Sequence, residues 1–368
     1  MKNGIYKIFV INPGSTSTKL SLFHNEEHIL TTDVFHDSSV LKTFPTINDQ
    51  LDYRMEVIRN FIKENELDLS DLDAIVGRGG PCYAVESGTF EVDDLLIADT
   101  KAGKGGLYHA SMLGVQMARE MQKEYGGRIF MLDPTVVDEY WDLSRISGID
   151  GIYRHSICHA LNLKATARKH AASLGKRYED CRFIVCHIDG GISVTAHVNG
   201  RMVDGNDAGG GQGPFTPTRM GSMAVTDVVD YLWDKTPQEM KNLTSVVGGL
   251  SSYFGTSNTD KIHELIDAGD KRANRVWDAM IYQIAKYIGA MASAMSGKVD
   301  AIVLTGGLLR FPEIEEKIRG YCGYIAPVSS YPGECEQEAM CLGALRVLRG
   351  EEEPKHYTGH PVWQGFND

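Results

Sequence analysis

A strand, a turn of small residues and two further strands occur twice in this chain, at positions almost half its length apart. Residues 5–11 are β-branched and aromatic, "NPGSTSTK" from Asn12 to Lys19 breaks the run, and apolar alternation returns over 18–24 and 27–34. The same grammar begins again near residue 182 in "RFIVCHIDGGISVTAHVNGRMVDGND", where Asn199-Gly200 is a strong hairpin signal. Such a repeat predicts a structural duplication: two halves, each opening with three consecutive antiparallel strands. A length of 368 residues is itself a prior for two domains.

Helical and strand patterns alternate between and after the two units, so both halves read as α/β. Helices are expected in "TINDQLDYRMEVIRNFIKEN" and "GLYHASMLGVQMAREMQKEY", and around 224–245, 260–296 and 335–349. Buried strands are expected in "LDAIVGRGG", "RIFMLD" and "DAIVLTGG". The domains are placed at 1–160 and 161–368, with the join within or beside a helix starting near His155.

Net charge of -12 gives no electrostatic footprint for nucleic acid or an anionic membrane. The seven cysteines show no C-x-x-C or zinc-ribbon spacing and read as reduced thiols. No apolar stretch approaches the roughly 18 residues of a membrane span. A cytoplasmic metabolic protein is the expectation.

Small residues in a turn let backbone N–H groups and hydroxyls approach a phosphate closely. Asn12, Gly14, Ser15, Thr16, Ser17 and Lys19 supply that chemistry in the first unit; His187, Gly190, Gly191 and Ser193 supply it in the second. Each turn alone is as well explained by an ordinary hairpin loop. Two of them, one per domain, point to a nucleotide whose phosphates are held from both sides of a cleft. Gly306 and Gly307, at the end of a buried strand, are placed to admit an adenosine. Rival phosphate motifs do worse, because "AGKGG" lacks both the earlier glycine and the following Ser/Thr of a P-loop.

The order "VINPGSTSTKLSLF", "VGRGG", "MLDPTVVDEY", "HSICHALN", "HIDGGISVTAHVNGR", "GPFTPTRMGS" and "LTGG" resembles the acetate and butyrate kinase family over residues 5 to 349. "CHALN", "GPFTP" and the compact length resemble its butyrate kinases more than its acetate kinases. The resemblance implies a duplicated actin-like ATPase (ribonuclease H-like) fold, with two domains around a nucleotide cleft. It implies ATP/ADP and Mg2+ as cofactors, and a short-chain carboxylic acid as phosphoryl acceptor. A homodimer or higher homo-oligomer is expected.

Site roles follow from the same matches. Arg219 matches the arginine that contacts the transferring phosphoryl group, and Arg78 is the candidate for the substrate carboxylate. Asp133 matches the catalytic aspartate and is expected to organise Mg2+ or water; as a residue before Pro134, it also reads as the cap of a helix "PTVVDEY". Glu338 is expected as a second metal-linked carboxylate, with Glu334 and Glu336 as substitutes. His155 and His159, four apart in a segment read as helical, share a face; His155 is expected to donate to the transition state and His159 to pack or to support a residue of the site. His109 opens a segment that resembles the lining of the acid pocket. Two positions depart from the family pattern: Asp189 stands where glycine is usual, and Thr218 where butyrate kinases carry glutamate.

A carboxylic acid is already ionised at neutral pH and needs no general base. A sugar kinase of the same fold requires Asp133 as a true base. An actin-like or chaperone ATPase uses the fold for a conformational cycle instead.

Overall fold

The computed structural model describes residues 4–106 and 108–366. Two compact units result, Met1–Asp138 with Cys335–Asp368, and Glu139–Glu334.

The first unit is built on strands β1 (Lys7–Pro13), β2 (Ser17–His24), β3 (Glu27–Phe35), β4 (Ala74–Gly77), β5 (Thr89–Glu91) and β6 (Arg128–Leu132). Their order among the described residues is β3-β2-β1-β4-β6-β5. β1 pairs antiparallel with β2, which sets Asn12 opposite Lys19, and parallel with β4. Phe9 and Ile11 on β1 share one core with Met55, Ile58 and Ile62 of helix Leu51–Glu64 and Val115, Ala118 and Met121 of helix Gly114–Tyr125. Helix Glu336–Leu348 packs on β1, β4 and β6 and buries Ala339, Met340, Ala344 and Leu345. Parallel strands need such cover on both faces.

The second unit repeats the plan with β7 (Arg182–Ile188), β8 (Ile192–Val198), β9 (Arg201–Gly205), β10 (Ala301–Gly306) and β11 (Val328–Pro332), in the order β11-β10-β7-β8-β9. Asn199 and Gly200 take φ of 52° and 80° between β8 and β9, the left-handed pair of a type I′ turn. Helix Lys271–Ala294 is capped by Asp270 and buries Ala273, Trp277, Met280, Ile281, Ile284 and Ile288, an amphipathic stripe laid on this sheet. In both units three antiparallel strands are followed by two that add in parallel beside the first. This is the duplicated actin-like plan expected from the sequence.

Three expectations are corrected. The domain boundary is not 160/161: residues 139–160 belong to the second unit, and the last helix returns to the first. No helix starts at His155; helix Ala160–Ser173 begins later, because Ile157 accepts a backbone bond from Ala208 N at 2.9 Å instead of turning on itself. Residues 134–140 are not helical either. Val137 N donates to Pro134 O at 3.1 Å and closes a single turn; Val85 N then donates to Val136 O at 3.2 Å and Asp138 N to Val85 O at 2.9 Å, which keeps that turn from running on into a helix.

Candidate active site

In the first unit the turn between β1 and β2 closes through Gly14 N donating to Ser17 O at 2.8 Å, with Ser15 and Thr16 exposed at its tip. Asn12, at the end of β1, donates from Nδ2 to Glu336 Oε2 at 2.8 Å. Arg78 follows β4 and is buried; its Nη2 reaches Glu336 Oε1 at 3.3 Å, while its Nη1 has no hydrogen-bond partner among the described residues. A buried guanidinium N–H left open in this way is ready for an incoming acceptor. Gly79 and Gly80 pack so closely on Met131 and Met112 that a Cβ at either would sit below 3 Å from them.

Glu336, named only as a substitute, is the carboxylate that joins this cluster. Glu338 lies two positions further along the helix, about 200° around its axis, and pairs instead with His28 at 3.1 Å, both half-exposed. That placement removes the support for Glu338 as the metal-linked group. Asp133 is buried at the end of β6 with φ of 36°, a conformation a non-glycine residue adopts only when its surroundings enforce it. Here Ser87 Oγ at 2.6 Å and Gly88 N at 2.8 Å donate to its Oδ1. With a single turn and no helix over residues 134–140, Asp133 is no helix cap. Lys19 sits on β2, and His109 is an exposed N-cap of the turn Ala110–Leu113, its Nδ1 accepting from Ser111 N at 3.2 Å.

In the second unit the turn between β7 and β8 is bound up by its own carboxylate. Asp189 Oδ1 accepts from Gly190 N and Oδ2 from Gly307 N, both at 2.7 Å. Gly306, at φ of 114°, lies hard against the backbone of Ile188, where a side chain has no room. Gly190 O in turn accepts from Thr216 Oγ1 at 2.8 Å and Thr218 Oγ1 at 3.3 Å. Thr218 thus helps to fasten the turn.

Arg219 is half-buried, its Nη1 donating to Ala208 O at 2.6 Å and its Nε without a partner among the described residues. Burial holds its pKa below the usual guanidinium range, with Asp207 acting in the opposite sense. A Cβ on Gly191 would lie 2.7 Å from Arg219 Nη1 and 2.9 Å from His159 Cε1, so this glycine is what lets the three groups converge. His159 Nδ1 meets Ser193 Oγ at 2.8 Å, and its ring stacks on His187 at 4.0 Å. His155 is exposed on a loop, its Nε2 3.5 Å from Asp207 Oδ2. The two histidines therefore share no helical face.

His187 is buried in β7. His187, Asp189 and Glu334 bring ligand-type atoms within 4.8 Å of one another. Asn162 Nδ2 lies 2.7 Å from His187 Nδ1, so that ring nitrogen is engaged with Asn162. Asn12 and Glu336 offer an all-oxygen donor set of the kind a hard cation prefers.

Residues 150–311 match the model of the acetokinase family. A probable butyrate kinase 2 of Caldanaerobacter subterraneus subsp. tengcongensis is 44% identical over 355 residues, covering 96% of this chain and 100% of its own. A probable butyrate kinase of Clostridium botulinum (strain Alaska E43 / Type E3) is 42% identical over 354 residues, 96% of this chain and 99% of its own. Among solved structures, the acetate kinase of Porphyromonas gingivalis matches with a TM-score of 0.74 at 19% identity, over 93% of this chain and 100% of that one. The acetate kinase of Entamoeba histolytica matches with a TM-score of 0.74 at 15% identity, over 92% and 98%. The structures establish the fold, and the two sequence relatives, matched over nearly their whole length, establish more: the chain belongs to the acetokinase family.

Proposed function

We propose that this protein transfers the γ-phosphoryl group of ATP reversibly to a short-chain carboxylic acid, with butyrate or a branched four-carbon acid as the preferred acceptor. Family membership supports the reaction class, and the names of the two sequence relatives point to butyrate. The observation that carries acid recognition is Arg78, a buried guanidinium with one N–H direction open. A planar fork suits a carboxylate, and desolvation strengthens the pairing.

The carboxylate oxygen attacks the γ-phosphorus. A new O–P bond forms, the bond from phosphorus to the β–γ bridging oxygen breaks, and ADP leaves with that electron pair. No proton is removed from the acid, since it is ionised at neutral pH. Positioning and charge neutralisation are what the protein must supply. Arg219 is assigned to the transferring phosphoryl group and exposed His155 to a hydrogen bond that forms as charge develops. Asp133, fixed by Ser87 and Gly88, orders the polar surroundings. Asn12 and Glu336 fit a Mg2+ ion by their all-oxygen donor set, and that ion, when bound, neutralises phosphate charge.

Hydroxylamine trapping of the acyl phosphate, with Mg-ATP and a panel of acids, tests the assignment. A hydroxamate from four-carbon acids is expected. No hydroxamate from any short acid, in a protein that binds ATP, overturns it, and a phosphorylated sugar would indicate the sugar-kinase chemistry of the same fold.

A further inference from the structure

Arg54 lies on the apolar face of helix Leu51–Glu64, beside Met55, Ile58 and Ile62, and is 1% exposed. A fully buried arginine ordinarily has a carboxylate partner. This one has none among the described residues. Its Nη1 donates to Gly14 O at 2.8 Å and Ser17 O at 3.4 Å, its Nη2 to Ser15 O at 2.8 Å, and its Nε to Gln50 Oε1 at 3.1 Å. Three of the four acceptors are main-chain oxygens of one turn.

In a trans peptide the C=O and the following N–H point in opposite directions. Turning the carbonyls of Gly14 and Ser15 inward to Arg54 therefore turns the N–H groups of Ser15 and Thr16 outward, and both residues are exposed. On the next peptide His36 N takes Thr16 O at 2.9 Å and fixes the turn from its other side. Outward N–H groups with a fixed positive charge behind them constitute an anion cradle.

We propose that Arg54 is a positioning residue that sets the Gly14–Ser17 turn as a cradle for a phosphate group of the nucleotide, without touching it. The inference rests on the reading that this protein uses ATP. Its signature is a split between the two substrates. Arg54→Lys keeps the charge but cannot hold three carbonyls in one plane, so KM for Mg-ATP rises about tenfold or more while KM for the acid stays within about twofold. Guanidinium ion added to Arg54→Ala lowers the Mg-ATP KM again. A purely structural role reduces the active fraction and leaves both KM values alone.

Amide hydrogen exchange on the wild-type chain keeps the two readings apart. If Mg-ATP fails to slow exchange at residues 14–17, the turn is not a nucleotide site. If it slows exchange there and Arg54→Lys retains the wild-type Mg-ATP KM, the Arg54 inference alone falls. Should neither variant fold, wild-type protein labelled with 15N-arginine serves: Arg54 Nη–H exchange that slows with Mg-ATP supports the role, and exchange that does not change overturns it.

Discussion

Asp189 Oδ2 accepts a hydrogen bond from Gly307 N at 2.7 Å, which ties the turn after β7 to the glycine pair after β10. With Oδ1 on Gly190 N, this carboxylate occupies two of the backbone donors that the turns would offer an anion. It also brings negative charge to a place expected to meet a polyphosphate. Asp189→Asn retains an acceptor oxygen and removes the charge. We expect KM for Mg-ATP to fall about threefold to tenfold, in keeping with about 1 kcal/mol for one partly screened charge. Initial rates over a range of Mg-ATP check this, and an unchanged or higher KM in the variant refutes it.

Arg219 contributes differently, because its task arises as the phosphoryl group moves. Its carbonyl anchor at Ala208 and the closeness of Gly191 hold the guanidinium in one place. Arg219→Ala is expected to lower kcat by about a hundredfold or more, with a smaller change in KM for ATP. Arg219→Lys recovers little, since an ammonium lacks the planar fork. A folded Arg219→Ala protein with wild-type kcat would falsify the assignment.

Stability at mild acidity should report on His36. Its Nε2 lies 2.8 Å from Thr18 Oγ1, and burial, reinforced by Arg54, lowers its pKa to about 4. In the unfolded chain a histidine titrates near 6.5. Above that pH both states are neutral at His36 and its contribution is fully present. As pH falls from about 6.5 towards about 4 the unfolded chain takes the proton first, so stability drops by up to about 1.4 kcal/mol per pH unit. His170, lowered by burial, and His197, held well down by burial with Lys164 and Arg168, add in the same direction. Urea midpoints between pH 6.5 and 4.5 should decline less steeply in His36→Gln than in the wild type. Parallel declines would show that His36 titrates normally.

The strands were legible in the sequence because their signals are local. Period-two alternation, small-residue turns and Asn199-Gly200 gave both triplets and hence the duplication. The helix misplaced at His155 and the one misread at Pro134 fail for a common reason: backbone bonds to distant residues, Ala208 and Val85, keep the local bonding that propensity describes from running on into a helix. Glu336 meets Asn12 across 324 positions, a separation no spacing rule covers, and choosing it over Glu338 needed the helix phase. Arg54 was hidden by its surroundings. It reads as one polar residue in an amphipathic helix, and only its main-chain partners reveal what it does. Arg78, Arg219 and Asp133 could be singled out because short motifs mark them, yet the open N–H of Arg78 and the positive φ of Asp133 belong to the folded chain.

Acid preference is the prediction on which the finer assignment depends. Each methylene that enters an apolar pocket is worth roughly 1 to 3 kcal/mol in kcat/KM. Butyrate carries two more than acetate, so a closed pocket favours it by about a hundredfold or more, and a pocket partly open to water by much less. Arg78 bears on this only through the carboxylate, which all the acids share. Arg78→Lys should therefore weaken every acid by a similar factor and leave their ranking intact. The measurement is kcat/KM for acetate, propionate, butyrate and isobutyrate at saturating Mg-ATP, in the wild type and in Arg78→Lys. A wild-type ranking with acetate equal to or above butyrate removes the four-carbon assignment and leaves the carboxylate kinase standing. A ranking that changes in Arg78→Lys would show instead that Arg78 senses the alkyl chain, and would remove it as the carboxylate's partner.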